Sequence, residues 1–243
     1  MTDPTAIGST ATDSTETFPV TLEGGSKRTF ACALDWPGWC RSGRDETTAL
    51  EALLAYGPRY ARALQRVGME FQPPSQLAQL NVVERHAGNA TTDFGAPAIP
   101  AQADSLPLDE AELALLQRLL RACWQAFDAA VEAAADKELR KGPRGGGRNR
   151  EKILEHVVEG EASYLRRLAG KRLRGTGLNP RERLEPTRQA ILEALEQAVR
   201  EGLPERGPRG GAIWPPRYFV RRVAWHVLDH AWEIEDRIQE PAP

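Results

Sequence analysis

The ten residues Arg221-Arg222-Val223-Ala224-Trp225-His226-Val227-Leu228-Asp229-His230 decide how this chain is to be read. Apolar residues recur in them at helical spacing, and two of the chain's 4 histidines stand four positions apart. A step of four residues on an α-helix turns a side chain by about 40° and raises it by roughly 6 Å. Both imidazoles therefore project from one face, where they can share a metal ion of borderline softness such as zinc, nickel or iron. Surface pairs and satisfied polar pairs use the same spacing, so the pair alone leaves both readings open.

A third histidine adds to it. His156 lies in Ile153-Leu154-Glu155-His156-Val157-Val158, a second helical pattern flanked by residues that belong in a core. Helical bundles bring ligands from facing helices together. Three neutral nitrogens leave a coordination position open for water or substrate, as catalytic sites do and structural ones do not. Glu159 and Glu233, each three residues after a histidine, share the ligand faces. Either could orient an imidazole or accept a proton, and each is equally readable as a solvated helix charge. Arg222, four before His226, suits an anionic substrate group or a bundle carboxylate. Trp225 and Trp232, seven apart beside the histidine face, are placed to line a pocket, while Trp214, Tyr218 and Phe219 read as packing.

Working outward, four helical patterns follow residue 105. The first opens at Pro107-Leu108-Asp109 and runs to about Arg140, and the second from about Arg150 to Leu173. The third runs from about Pro186 to Glu201 and the fourth from about Pro216 to Gln239. The connections are rich in Gly and Pro, and the one around Arg144 to Arg148 lacks the Lys-Ser/Thr of a phosphate loop. Residues 106–240 thus form a four-helix bundle. Upstream, Phe18 to Leu22 and Thr29 to Leu34 read as a β-hairpin about Glu23-Gly24-Gly25-Ser26. A helix from about Asp45 to Val67, interrupted or kinked at Gly57-Pro58, and two short strands, Asn81 to Arg85 and Thr91 to Phe94, complete a small α/β unit over 17–95. Residues 96–105 read as a linker and 1–16 as a disordered tail. The fold class is α+β: a small amino-terminal α/β domain followed by an all-α bundle.

Composition sets the outer limits. With 41 % hydrophobic and 27 % charged residues the chain is ordinary globular material. A net charge of -2 gives no reason to expect nucleic acid or an anionic membrane as partner. No stretch reaches the roughly 18 apolar residues of a spanning helix, and the tail has no basic start or apolar core to make it a secretory signal. Cys32, Cys40 and Cys123 are an odd number at no metal-like spacing, which predicts free thiols in a reduced, cytoplasmic protein. Cys40 has no histidine near it in sequence to act as base, and His86, at a predicted strand end, reads as a surface residue.

The stretch Arg150 to Leu165, with its fourth-helix counterpart Arg221 to His230, resembles the histidine-bearing helices of the DinB-like superfamily. The resemblance spans about residues 106 to 239. It implies a four-helix bundle in which His156, His226 and His230 bind a divalent metal ion. It further implies a transferase or isomerase that uses a low-molecular-weight thiol on a small-molecule substrate. By their helical placement Glu159 or Glu233 would then orient a ligand or act as base, and Arg222 and Trp225 would line the binding pocket. The Arg- and Ala-rich composition favours mycothiol as the thiol. A metal-dependent hydrolase and a non-catalytic bundle stapled by its metal are the alternatives. Ala31 to Gly43, followed by Asp45 to Leu50, resembles the HicB-like antitoxin fold. Here that unit would be an accessory domain that covers the open end of the bundle or makes a homodimer.

Overall fold

The computed structural model describes residues 16–141, 147–169, 179–207 and 211–239. All but the last residue of the predicted tail lies outside them.

Alternating apolar residues build the sheet. Strands β1 (Phe18–Gly24) and β2 (Thr29–Ala33) pair antiparallel, with Val20 opposite Ala33 and Gly24 opposite Thr29. The hairpin closes through a hydrogen bond from Gly25 N to Arg28 O. Strand β3 (Cys40–Gly43) adds antiparallel to β2, and β4 (Leu80–Ala87) adds parallel to β1, giving the order β3-β2-β1-β4. Helix α1 (Glu46–Gln65) lies between β3 and β4 in the chain and packs on the β2–β3 side of the sheet. The interruption expected at Gly57-Pro58 does not occur. Proline removes one hydrogen bond, but the buried row Leu53, Gly57, Tyr60 and Leu64 holds the helix through that turn.

Two further expectations are corrected here. Thr91 to Phe94 is not a strand but a short helix, α2 (Ala90–Phe94), because the Asn89 side chain accepts from the backbone of Thr91 and Thr92. Cys32 and Cys40 are not free thiols. They are register partners in β2 and β3, with Cα atoms 4.0 Å apart, and are joined by a disulfide, while Cys123 is free and buried.

The helical part comprises α3 (Glu110–Ala133), α4 (Arg150–Ala169), α5 (Pro180–Glu201) and α6 (Pro216–Arg237). α3 starts at an Asp109–Glu112 capping box and ends before the expected Arg140. α5 begins at Asn179-Pro180 and not at Pro186, because Asn179 caps the Glu182 N–H and Pro180 suits the first turn. The expected end of the second helix, 170–173, lies outside the described residues. α3 packs mainly on α6, and α4 on α5 and α6.

α6 sits between the bundle and the sheet, which is why 14 of its 22 residues are buried. Phe30 of β2 meets Trp225 edge-on at 5.9 Å, and Tyr56 of α1 meets Trp232 at 5.0 Å. Arg41 pairs with Asp229 at 2.9 Å, and Arg59 pairs with Glu235 and Asp236. One apolar core runs from Phe18 through Trp39 and Tyr60 to Phe127, Leu154 and Phe219. The segment 96–105 is held on this core: Ala101 and Asp104 are buried, and Glu23 accepts from the backbone of Ala98 and Ile99. No described helix is long and apolar enough to cross a membrane.

Candidate metal centre

His226 and His230 leave α6 on the side that faces α4, and His156 reaches them from α4. One ligand atom from each lies within 4.8 Å of the others. The three rings stand nearly edge-to-face, with centroids 4.8 to 5.0 Å apart. His156 Nε2 and His226 Nε2 are 3.2 Å apart. Two nitrogens bound to one tetrahedral ion would stand about 3.3 Å apart, so this pair has the spacing of metal ligands. His226 and His230 are buried, and half-buried His156 keeps the site in contact with solvent.

Burial and mutual repulsion keep two of the rings neutral. The His156 imidazole is pushed down to about 4, first by burial and then by the neighbouring charges of His230 and Arg148. His226 lies well below the ordinary histidine range for the same leading reason, with His230, His156 and Arg222 adding to it. Neutral imidazole is the form that ligates metal. The Nδ1 of His226 is buried without a hydrogen-bond partner.

Glu233 stands behind the triad. Its Oε2 lies 2.8 Å from His230 Nδ1, while Oε1 accepts from Arg237. With Nδ1 held in this way, His230 turns Nε2 towards the other two rings, the arrangement by which carboxylates orient metal-bound histidines. Burial alone would raise the Glu233 carboxyl, but the bonds from His230 and Arg237 prevail and hold it below its usual range. Glu159 takes no such part. It has the same three-residue offset from a histidine as Glu233, but it lies exposed on α4 and makes no hydrogen bond to the triad.

Arg222 and Trp225 flank His226. The Arg222 guanidinium lies 4.7 Å from the Trp225 ring and 5.2 Å from the Tyr164 ring. Trp225 packs mainly against the sheet, and its ring centroid is 6.1 Å from that of His226. Trp232 turns instead to Tyr56 and Arg41. His86 is not a surface residue, because it points along the inner row of β4 beside Glu84 and lines a cavity with Arg222.

Two residues of the site carried no role in the sequence reading. Tyr164 on α4 meets His226 edge-to-face at 5.5 Å and lies tilted against Trp214 at 5.3 Å. Gly160 faces His226 directly: a Cβ there would stand 2.6 Å from the ring's Cε1. The available signal was a glycine inside an otherwise helix-forming stretch, one turn after a histidine, where its conformational cost needs a reason.

Residues 119–234, which include all three histidines, match the model of the DinB superfamily. The helical bundle thus belongs to that superfamily. No curated protein and no solved structure matches the chain.

Proposed function

We propose that the bundle holds one divalent metal ion on His156, His226 and His230 and serves a metal-dependent transfer or isomerisation that uses a low-molecular-weight thiol. The convergence of three imidazoles from two helices, with a carboxylate behind one of them, carries this reading. When bound, the ion supplies Lewis acidity that lowers the pKa of a thiol in its open position.

The chain's own residues account for the rest. Burial holds His156 and His226 neutral and ready to ligate. Glu233 fixes the tautomer of His230 and is itself held by an ion pair with Arg237. Arg148 beside His156 and Arg222 beside His226 make the surroundings cationic, which favours an anionic thiolate over neutral water as the group held there. Tyr164 and Trp225 give the site apolar walls. The amino-terminal unit, HicB-like in its strand–turn–helix order, acts as an accessory layer behind α6. A small-molecule substrate, a cytoplasmic setting and self-association through that unit complete the reading.

Elemental analysis of the purified protein beside its His156→Ala and His226→Ala variants tests the metal. One equivalent in the wild type and none in the variants is expected. A panel of mycothiol, bacillithiol and glutathione with monochlorobimane as electrophile tests the chemistry. Turnover that needs no thiol would point to hydrolysis and overturn the transferase reading.

A further inference from the structure

Arg222 is buried, with 7 % of its surface exposed, yet it makes no ion pair or hydrogen bond among the described residues. Its Nη1 is cut off from solvent and unpartnered. Two other largely buried guanidinium groups each have a carboxylate partner. Arg221, its neighbour, pairs with Asp104, and Arg188 pairs with Asp128. A buried charge without a counter-ion is costly, and cation–π contact with Tyr164 and Trp225 offsets only part of that cost.

The acids on this side of α6, Glu23 beside the cavity and Asp104 beside Arg221, have other donors, although Asp104 Oδ1 is unpartnered. Glu23 accepts from Thr92, Ala98 and Ile99, and Asp104 from Arg221 and Ala101. Arg222 lines a cavity of about 30 Å³ together with Glu23, His86, Tyr218, Arg221 and Trp225. That space holds a headgroup of a few atoms, since one water needs on the order of 10–15 Å³. The cavity lies on α6 one turn before His226.

The geometry points to Arg222 as a binding site for a carboxylate, received in this cavity between the sheet and α6. A planar fork of donors matches a carboxylate in two-point contact, and the small cavity admits a carboxylate more readily than a bulkier phosphate.

Benzoate and its neutral counterpart benzamide serve as probes, with binding followed by calorimetry and tryptophan fluorescence. Benzoate should bind the wild type roughly ten- to a hundredfold more tightly than benzamide, the difference a charged hydrogen bond supplies. Arg222→Met should abolish that preference while retaining the metal found in the wild type, and Arg222→Lys should retain part of it. A carboxylate that ligates the metal instead would lose its preference when the metal is chelated, so the wild type is measured both ways. Preference that persists after chelation supports the proposal. Preference that vanishes on chelation, or survives in Arg222→Met, overturns it. Should Arg222→Met fail to fold, the chelated wild type and Arg222→Lys decide. A wild type that takes up no metal at all, yet prefers benzoate, would sink the metal reading and leave this one standing.

Discussion

Gly160 and His226 face each other across the α4–α6 interface so closely that the ring of His226 occupies the space a Cβ on residue 160 would need. The metal-site geometry therefore depends on a missing side chain. Ordinarily Gly→Ala in a helix interior stabilises by about 1 kcal/mol. Here Gly160→Ala should do the reverse locally, displacing the imidazole and weakening metal binding roughly tenfold or more. Helix content should stay unchanged by circular dichroism. A Gly160→Ala protein that titrates zinc like the wild type would show that the ring has room to move.

Glu233 is the second support. Glu233→Gln keeps the shape but loses the charge that His230 and Arg237 share. Metal affinity should fall by about 10- to 100-fold, the usual cost of altering a carboxylate behind a ligating histidine. Competition with a chromogenic chelator measures this. Glu159→Gln, on the exposed side of α4, is the matched control and should change nothing.

Two groups should give opposite pH slopes in the metal-free protein. His156 titrates near 4 when folded against 6.5 when unfolded. The stability its neutral form contributes is present above 6.5 and lost as pH falls towards 4. Glu161 is wholly buried beneath Trp124, and burial, only partly countered by Arg188 and the Trp124 N–H, raises its carboxyl to about 7 from 4.5. Its contribution is intact below 4.5 and lost as pH rises towards 7. Glu161→Gln removes only the second slope. Urea unfolding should show the variant gaining on the wild type between pH 4.5 and 7 and holding that lead above it. A difference that does not vary with pH would refute the assignment.

Gly38 ties the sheet to the bundle. It lies at φ 98°, and a Cβ there would stand 2.8 Å from Leu228 Cδ1 and 3.2 Å from Cys123 Sγ. Gly38→Ala combines a left-handed backbone cost with overpacking, so a loss of roughly 2–4 kcal/mol is expected in denaturant unfolding. A loss below about 0.5 kcal/mol, ordinary for a surface turn, would mean the sheet and α6 separate easily.

Much of this arrangement could be read from residue order. The hairpin was legible because Val20 and Leu22 alternate with turn residues beyond them, and α4 and α6 because their apolar residues repeat at helical spacing. The end of α3 and the start of α5 were not. The start of α5 turns on local capping, since the Asn179–Pro180 pair outweighs the more familiar-looking Pro186. Thr91 to Phe94 misled because threonine and phenylalanine favour strands, while the Asn89 cap governs.

By itself the sequence determined that two helices each carry inward histidines, since helical periodicity is a local property of the backbone. Only the tertiary structure decided which neighbours serve them. Glu159 and Glu233 have the same three-residue offset, yet one faces solvent and the other lies 2.8 Å from a ring nitrogen. Which side of a helix is covered depends on what packs there, and that is set by distant residues. The same holds for Cys32 and Cys40, brought into register by strand pairing, and for Arg222, left without a counter-ion because the acids around it are bound elsewhere.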